Sequence, residues 1–370
     1  PYSIGELVFD CPGEELLIIT DPTFRVAAET LRTWKITKGI STSIIDTGSG
    51  PGEAGITAEE IRDTIKARYD TCLVRPSYVL LLGDAEHIPT FYLPTLYGDL
   101  AGSDLPYTTM GIDEFFATPD LGLGRIPVDT LSDAQTVVDK IVAYESSPPL
   151  ASSFYNDMTL AAYFQCCRPE VASDGTTSRS FVETAELVRG HLNGLGYNME
   201  RIYDTGVAYH SDPTKPGFYD SSTRSITPNR YYNGALLPSD LRASSGYAWD
   251  GDTADVVAAF NAGRGLILHR DHGSISGWGS PRFYSSNLTS LSNGNLTPVV
   301  YSVNCASGLF VNETRNPADD YYTYPTSVGG SYWAEKLLRM AGGAAGIIGD
   351  TRNSPTWAIS ALTRGLFDAS

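Results

Sequence analysis

Short apolar runs alternate with stretches of helical spacing along this chain. Leu16–Thr20, Thr42–Asp46 and Tyr78–Gly83 have strand length, and the last is apolar throughout, as in a strand covered on both faces. Between them, Arg25–Lys38 repeats at helical spacing and stops at Gly39. Thr57 and Glu60 form a capping box that opens a helix through Tyr69. A second box, Ser132 with Gln135, opens a helix to about Glu145. This rhythm predicts a mostly parallel sheet flanked by helices. Ser146–Pro149 interrupts it, which sets a boundary between residues 1–148 and 149–370.

The alternation then resumes. Met158–Tyr163, Asn198–Tyr203, Gly265–His269, Pro298–Val303 and Ala344–Gly349 read as strands. Ser178–Leu192, Ala254–Asn261, Ser331–Ala341 and Trp357–Phe367 read as helices. Thr205–Asp250 is rich in Tyr, Pro, Ser and Asp and reads as a long surface excursion, the place to expect a processing cut. The expected architecture is α/β, with helices on both sheet faces and two subdomains.

Composition narrows the function. A net charge of −17 sets nucleic acid aside as a partner, because such a surface repels phosphates. No apolar run is long enough for a membrane span. The odd count of five cysteines leaves at least one unpaired if every bond is internal. Cys166 and Cys167 are adjacent and are not expected to pair with each other. No dinucleotide fingerprint or phosphate loop is present.

Two strands of the second half run into reactive side chains. Gly265–His269 leads to His272 and Gly273, and Pro298–Val303 leads to Cys305. Ligands of open parallel sheets gather beyond such strand ends. An imidazole beside a thiol favours the nucleophilic thiolate. The N–H groups of Gly273 and Cys305 are then the candidate oxyanion donors. Residue types and spacing also allow a blander reading, with Cys305 a buried small residue and His272 a loop histidine. His269, inside its strand, reads as a packed core histidine.

The segments His272–Trp278 and Cys305–Phe310 resemble the two catalytic motifs of the gingipain-type cysteine peptidases, of the clan that holds caspases, legumains and clostripain. The resemblance extends to Leu82–Asp84, Ile88–Pro89, Ser103–Asp104, Tyr107, Gly124–Pro127, Ile347–Asn353 and Trp357–Ala358. It implies a caspase-like three-layer αβα sandwich and a cysteine endopeptidase. In it Cys305 is nucleophile, His272 general base and Gly273 the oxyanion glycine. It further implies that Val303 and Trp357 wall the specificity pocket; Trp278 is a candidate substrate contact, with core packing the reading preferred. Asp104 matches the acid that grips the substrate guanidinium in arginine-specific gingipains, with turn capping or calcium binding as its alternatives.

The expected partner is therefore a peptide or protein substrate, possessed of an Arg or Lys before the scissile bond. The chemistry needs no cofactor; calcium is expected only as a structural ion. Export to the medium or the cell surface is also implied, and the sequons at Asn287, Asn295 and Asn312 agree with it. A sortase-like transpeptidase and a non-catalytic adhesion module are the alternatives. One departure matters: where gingipains carry the acid that orients the histidine, this chain has Thr90 or Phe91, so orientation by a backbone carbonyl, or a looser hold, is expected. Asp271, adjacent to the histidine, should point the other way.

Overall fold

The computed structural model describes residues 11–97, 100–111, 118–166, 175–205, 228–311 and 331–368. The chain divides into two compact units. The first runs to Ser146 and takes back Phe310 and Val311; the second comprises Ser147–Leu309 and resumes at Ser331.

The first unit carries β1 (Leu16–Thr20), α1 (Arg25–Thr37), β2 (Thr42–Asp46), α2 (Ala58–Thr71), β3 (Tyr78–Leu82), β4 (Phe91–Pro94), β5 (Leu100–Ser103), β6 (Gly122–Ile126) and α3 (Leu131–Ser146). Its main sheet is parallel, in the order β2-β1-β3-β6. Leu17, Ile19, Val79 and Leu81 pack with Ile61 and Ile65 of α2 on one face. Both halves of the Thr57–Glu60 capping box form. The start of α3 differs from expectation: Thr130, not Ser132, accepts the Asp133 N–H and donates to its carboxylate. The β4–β5 antiparallel pair is also unforeseen, since its strands have only four residues each and show no apolar/polar alternation.

The second unit carries α4 (Ser152–Asn156), β7 (Asp157–Tyr163), α5 (Phe181–Gly194), β8 (Asn198–Asp204), α6 (Thr253–Ala262), β9 (Leu266–Arg270), β10 (Gly273–Ser274), β11 (Gly277–Trp278), β12 (Phe283–Tyr284), β13 (Val299–Val303), α7 (Trp333–Arg339), β14 (Gly346–Gly349) and α8 (Thr356–Asp368). Its five-stranded sheet is parallel, in the order β14-β13-β9-β7-β8. Alternate residues serve opposite faces. Leu160, Ala162 and Leu268 pack with Val182, Val188 and Phe367 of α5 and α8. Ala161, Ile267 and Val300 pack with Val256, Phe260, Trp333 and Leu337 of α6 and α7. Helices thus cover both faces, and the unit is an αβα sandwich.

Of the expected 205–250 excursion, residues 206–227 lie outside the described residues. The rest is not a surface loop. Leu237, Leu241 and Trp249 are buried beside Phe164 and Tyr203, because the excursion carries enough large apolar side chains to enter the core. Strand order reverses between β7 and β9, and such a switch opens a crevice at the carboxyl ends.

Candidate active site

The parallel register brings the two reactive residues side by side. Val303 of β13 pairs with Arg270 of β9, so Cys305 and His272 each stand two residues beyond matched positions. Gly273 then runs against the nucleophile's backbone. A Cβ placed on it would lie 1.9 Å from Asn304 Oδ1 and 2.9 Å from the Cys305 carbonyl oxygen. Only glycine allows that approach.

The turn at Cys305 is strained and braced. Ala306 has φ 54°, a left-handed conformation that costs an alanine about 1–2 kcal/mol. Its N–H donates to Arg352 O at 3.1 Å, and Gly308 N–H donates to Asp350 O at 3.0 Å. A Cβ on Gly308 would meet the Gly349 carbonyl carbon and oxygen at 2.6 Å. Residues 349–352 therefore cradle the turn from β14. The Cys305 thiol is half-buried and unpaired, and it donates weakly to Ser354 O at 4.0 Å. Its backbone N–H has no partner among the described residues.

His272 is held on its other flank. Nε2 donates to Gln165 Oε1 at 2.9 Å, with Gln165 two residues past the end of β7. The ring meets Phe181 edge-on at 5.1 Å and Tyr163 at 6.3 Å. Desolvation against these walls, then repulsion from Arg179 and Arg270, pushes its pKa below the ordinary value. The imidazole is thus neutral at neutral pH and free to accept a proton. No hydrogen bond joins it to Cys305 here, a common looseness in ligand-free sites.

Buried polar groups tie these loops together. Arg270 donates to Val303 O at 3.3 Å, Thr356 O at 3.1 Å and Ser360 Oγ at 2.8 Å, and lies over the Phe181 ring. Burial lowers its pKa to about 10, against the pull of Asp271, Asp350 and Cys305, so it stays cationic at neutral pH. Asp271 accepts the Ser280 N–H at 2.6 Å and is pushed well above the carboxylate range by burial. It anchors a turn, as its alternation from His272 requires. Burial also raises Asp350 to about 6, although Ser354 and Arg270 oppose the shift.

Trp278 drops out as a candidate substrate contact, and the packing reading holds. It is fully buried, stacks on His269 at 4.4 Å and donates to Ser302 Oγ at 2.7 Å, so it cannot touch substrate. Ser302 Oγ also receives Asn304 Nδ2–H at 2.9 Å and meets Ser307 Oγ at 2.6 Å. Asn304 Nδ2 donates in turn to His269 Nδ1 at 2.8 Å. His269, a core histidine as read, is held neutral by burial, its pKa near about 3. The sequence reading missed Asn304, Arg270 and Gln165; only their positions beside strand ends pointed to them.

Asp104 corrects an expectation. Both its carboxylate oxygens accept from Arg125 at 2.8 Å, and Oδ1 also accepts from Thr90 at 2.7 Å. The pair is buried, at 11% and 6% side-chain exposure, so this charge is already answered inside the first unit. Nothing is left to grip a guanidinium. Val303 is buried at the end of β13 with its carbonyl on Arg270, while Trp357 stands 72% exposed at the start of α8.

Elsewhere, the Asp84, Glu86 and Asp129 carboxylates lie within 4.8 Å of one another, a hard-oxygen set that suits calcium. Cys11 and Cys72 form a disulfide, and Cys166 is also disulfide-bonded. Cys167 and the Asn312 sequon lie outside the described residues. No helix among the described residues is long and apolar enough to cross a membrane.

The sequence profile of peptidase family C25 matches residues 12–370. This chain belongs to that family. Gingipain R2 of Porphyromonas gingivalis is 22% identical over 304 residues, covering 80% of this chain and 32% of the relative. The chain therefore spans about a third of that relative's length. A solved complex of the pro- and mature domains of gingipain RgpB from the same organism superposes with a TM-score of 0.67 at 20% identity, over 96% of this chain and 68% of the other. The crystal structure of the Arg-specific cysteine proteinase gingipain R gives 0.66 at 18% identity, over 98% and 69%. The family C25 chain thus shares the gingipain fold, α/β with mostly parallel sheets.

Proposed function

We propose that this chain is a cysteine endopeptidase. The observation that carries the reading is the register of β9 and β13, which sets His272 and Cys305 at matched positions with Gly273 against the nucleophile's backbone. Cys305 Sγ attacks the peptide carbonyl carbon while His272 takes the thiol proton. The oxyanion receives the N–H groups of Gly273 and Cys305. The C–N bond breaks as His272 returns the proton to the leaving amine, leaving a thioester. Water, deprotonated by His272, attacks the thioester, the C–S bond breaks, and the acid leaves as His272 returns the proton to Cys305 Sγ.

Cleavage after Arg or Lys does not follow from this geometry. The acid expected to select those residues is neutralised by Arg125. Trp357 and Val303 remain candidates for the pocket wall, because the loop that leads to α8 runs past the thiol. The Cys11–Cys72 disulfide supports an oxidising, extracellular setting. Calcium at Asp84, Glu86 and Asp129 would serve stability, not chemistry.

The test is cleavage of fluorogenic peptides with Arg, Lys, Leu or Asp before the reporter, by wild type, Cys305→Ala and Asp104→Asn. Wild-type cleavage abolished by Cys305→Ala is expected, with residue preference unchanged by Asp104→Asn. Preference for Arg lost in Asp104→Asn would restore that residue to the pocket. A nucleophilic amine in the assay separates transpeptidation, seen as amide product, from hydrolysis.

A further inference from the structure

Gingipain-type histidines are oriented by an acid, and at the matching positions this chain has Thr90 and Phe91. Phe91 carries no acceptor side chain, and the Thr90 hydroxyl is committed to Asp104. The position of His272 between two strands offers another source. On one side of β9 lies β13 with Cys305, and on the other lies β7. Ala162 of β7 pairs with Arg270, so Gln165 emerges level with the His272–Gly273 turn.

We propose that Gln165 is the positioning residue of His272, fixing the imidazole as the Nε2–H tautomer and leaving Nδ1 as the basic nitrogen. Gln165 Oε1 accepts from Nε2 at 2.9 Å. Gln165 is itself fastened: its backbone carbonyl receives the Ser178 N–H at 2.7 Å and the Ser178 hydroxyl at 3.1 Å. Cys166, which follows, is buried. The Phe181 and Tyr163 rings limit rotation of the imidazole about this bond.

A neutral amide in place of a carboxylate has a chemical consequence. It orients the ring without stabilising the imidazolium by charge. The charged and titratable groups that face or couple to the ring are Arg179 from the loop before α5, Tyr163 from β7, Arg270, Asp271 and His269 from β9 and its end, and Cys305 from the end of β13. Arg179 and Arg270 both disfavour the imidazolium. This histidine is therefore built to be a weaker base than one backed by a carboxylate.

The proposal rests on the peptidase reading only for its kinetic arm. The first readout is the ring nitrogen NMR of His272 in the folded protein, which needs no turnover. Wild type should show the Nε2–H tautomer, and Gln165→Leu should lose that preference. Gln165→Glu should raise the ring pKa by about one unit, as a carboxylate partner does. With a cleaved peptide in hand, Gln165→Leu should lower kcat about tenfold to a hundredfold with KM within about twofold, as loss of orientation does. Gln165→Glu should stay within about tenfold of wild type and move the acid limb of kcat/KM, set by deprotonation of His272, upward. An unchanged tautomer and pH profile in Gln165→Leu would overturn the proposal, as would a wild-type Nδ1–H tautomer. If wild type shows no Cys305-dependent turnover, the peptidase reading fails while the ring spectra still decide Gln165. Should Gln165→Leu not fold, the wild-type tautomer and the Gln165→Glu shift decide alone.

Discussion

In the first unit, the charges that follow β5 and sit on β6 meet each other. Asp104 is clamped by Arg125 and Thr90, and Arg125 also donates to Gly83 O and Ile88 O at 2.9 Å. In the second unit, the ends of β9 and β13 leave a thiol whose one hydrogen bond among the described residues is a 4.0 Å donation and a histidine held through one nitrogen. Two of its buried carboxylate oxygens, on Asp271 and Asp350, have no partner among the described residues, against one in the first unit, Asp46 Oδ1 at the end of β2. Both sheets are parallel and both reverse strand order, so topology does not separate them. What separates them is whether the polar groups at the strand ends are spent on the protein or kept for chemistry. A satisfied end is scaffold; an under-satisfied end, stiffened from behind, is where a substrate has something to do.

This contrast can be broken from either side. Removing the cation of the first unit should cost most. Arg125→Met leaves Asp104 buried and unanswered, and a loss of about 3–5 kcal/mol is expected in denaturant unfolding. A change below about 1 kcal/mol would mean that the pair is not the brace described here. On the second side, Gly273→Ala drives a methyl into Asn304 Oδ1 and toward the Cys305 carbonyl. Turnover that depends on Cys305 should fall about a hundredfold, the scale of a displacement near 1 Å. Activity within twofold of wild type would show that the close approach is dispensable.

The two units also predict opposite pH signs. Desolvation would raise Glu145, yet hydrogen bonds from Lys35, Lys38 and Trp34 overcome it and bring it to about 2. A depressed carboxylate stabilises above its unfolded value of 4.5, and the gain is lost as pH falls toward 2. Asp350, raised to about 6 from 3.8, costs stability above pH 6 and ceases to cost it below 3.8. Glu145→Gln should therefore destabilise at pH 7, and the deficit should shrink as the acid limit is approached. Asp350→Asn should stabilise at pH 8, with the gain gone near pH 3.8. Unfolding midpoints across pH measure both, and a shared sign would erase the distinction between the units. The smallest expected effect is Thr57→Ala, which removes one half of a capping box and should cost about 1 kcal/mol.

Much of this was legible in the sequence because strands and helices announce themselves by period. β1, β2, β8, β13 and all three long helices of the first unit fall within a few residues of the expected bounds. Short strands such as β4, β5 and β10–β12 have too few residues to show alternation, and they escaped. Spacing told that His272 and Cys305 follow strands, but only pairing register makes them neighbours. Burial corrected the rest. Trp278 carried the look of a binding aromatic, yet its indole N–H is spent on Ser302 in the core. Asp104 looked like a free acid because its partner, Arg125, stands 21 residues away on β6, a distance across which sequence gives no pairing signal. Gln165 was invisible for the same reason, lying 107 residues from the histidine it meets.

The central claim is that Cys305 is a nucleophile served by His272. Its most direct measurement is acyl-enzyme trapping: the folded protein is mixed with a peptide ester of a cleaved sequence, quenched in acid and weighed by mass spectrometry. The account predicts one acyl adduct per chain, mapped to Cys305, absent in Cys305→Ala and formed far more slowly in His272→Ala. Turnover of the ester with no adduct on Cys305, or with undiminished rate in Cys305→Ala, would contradict it.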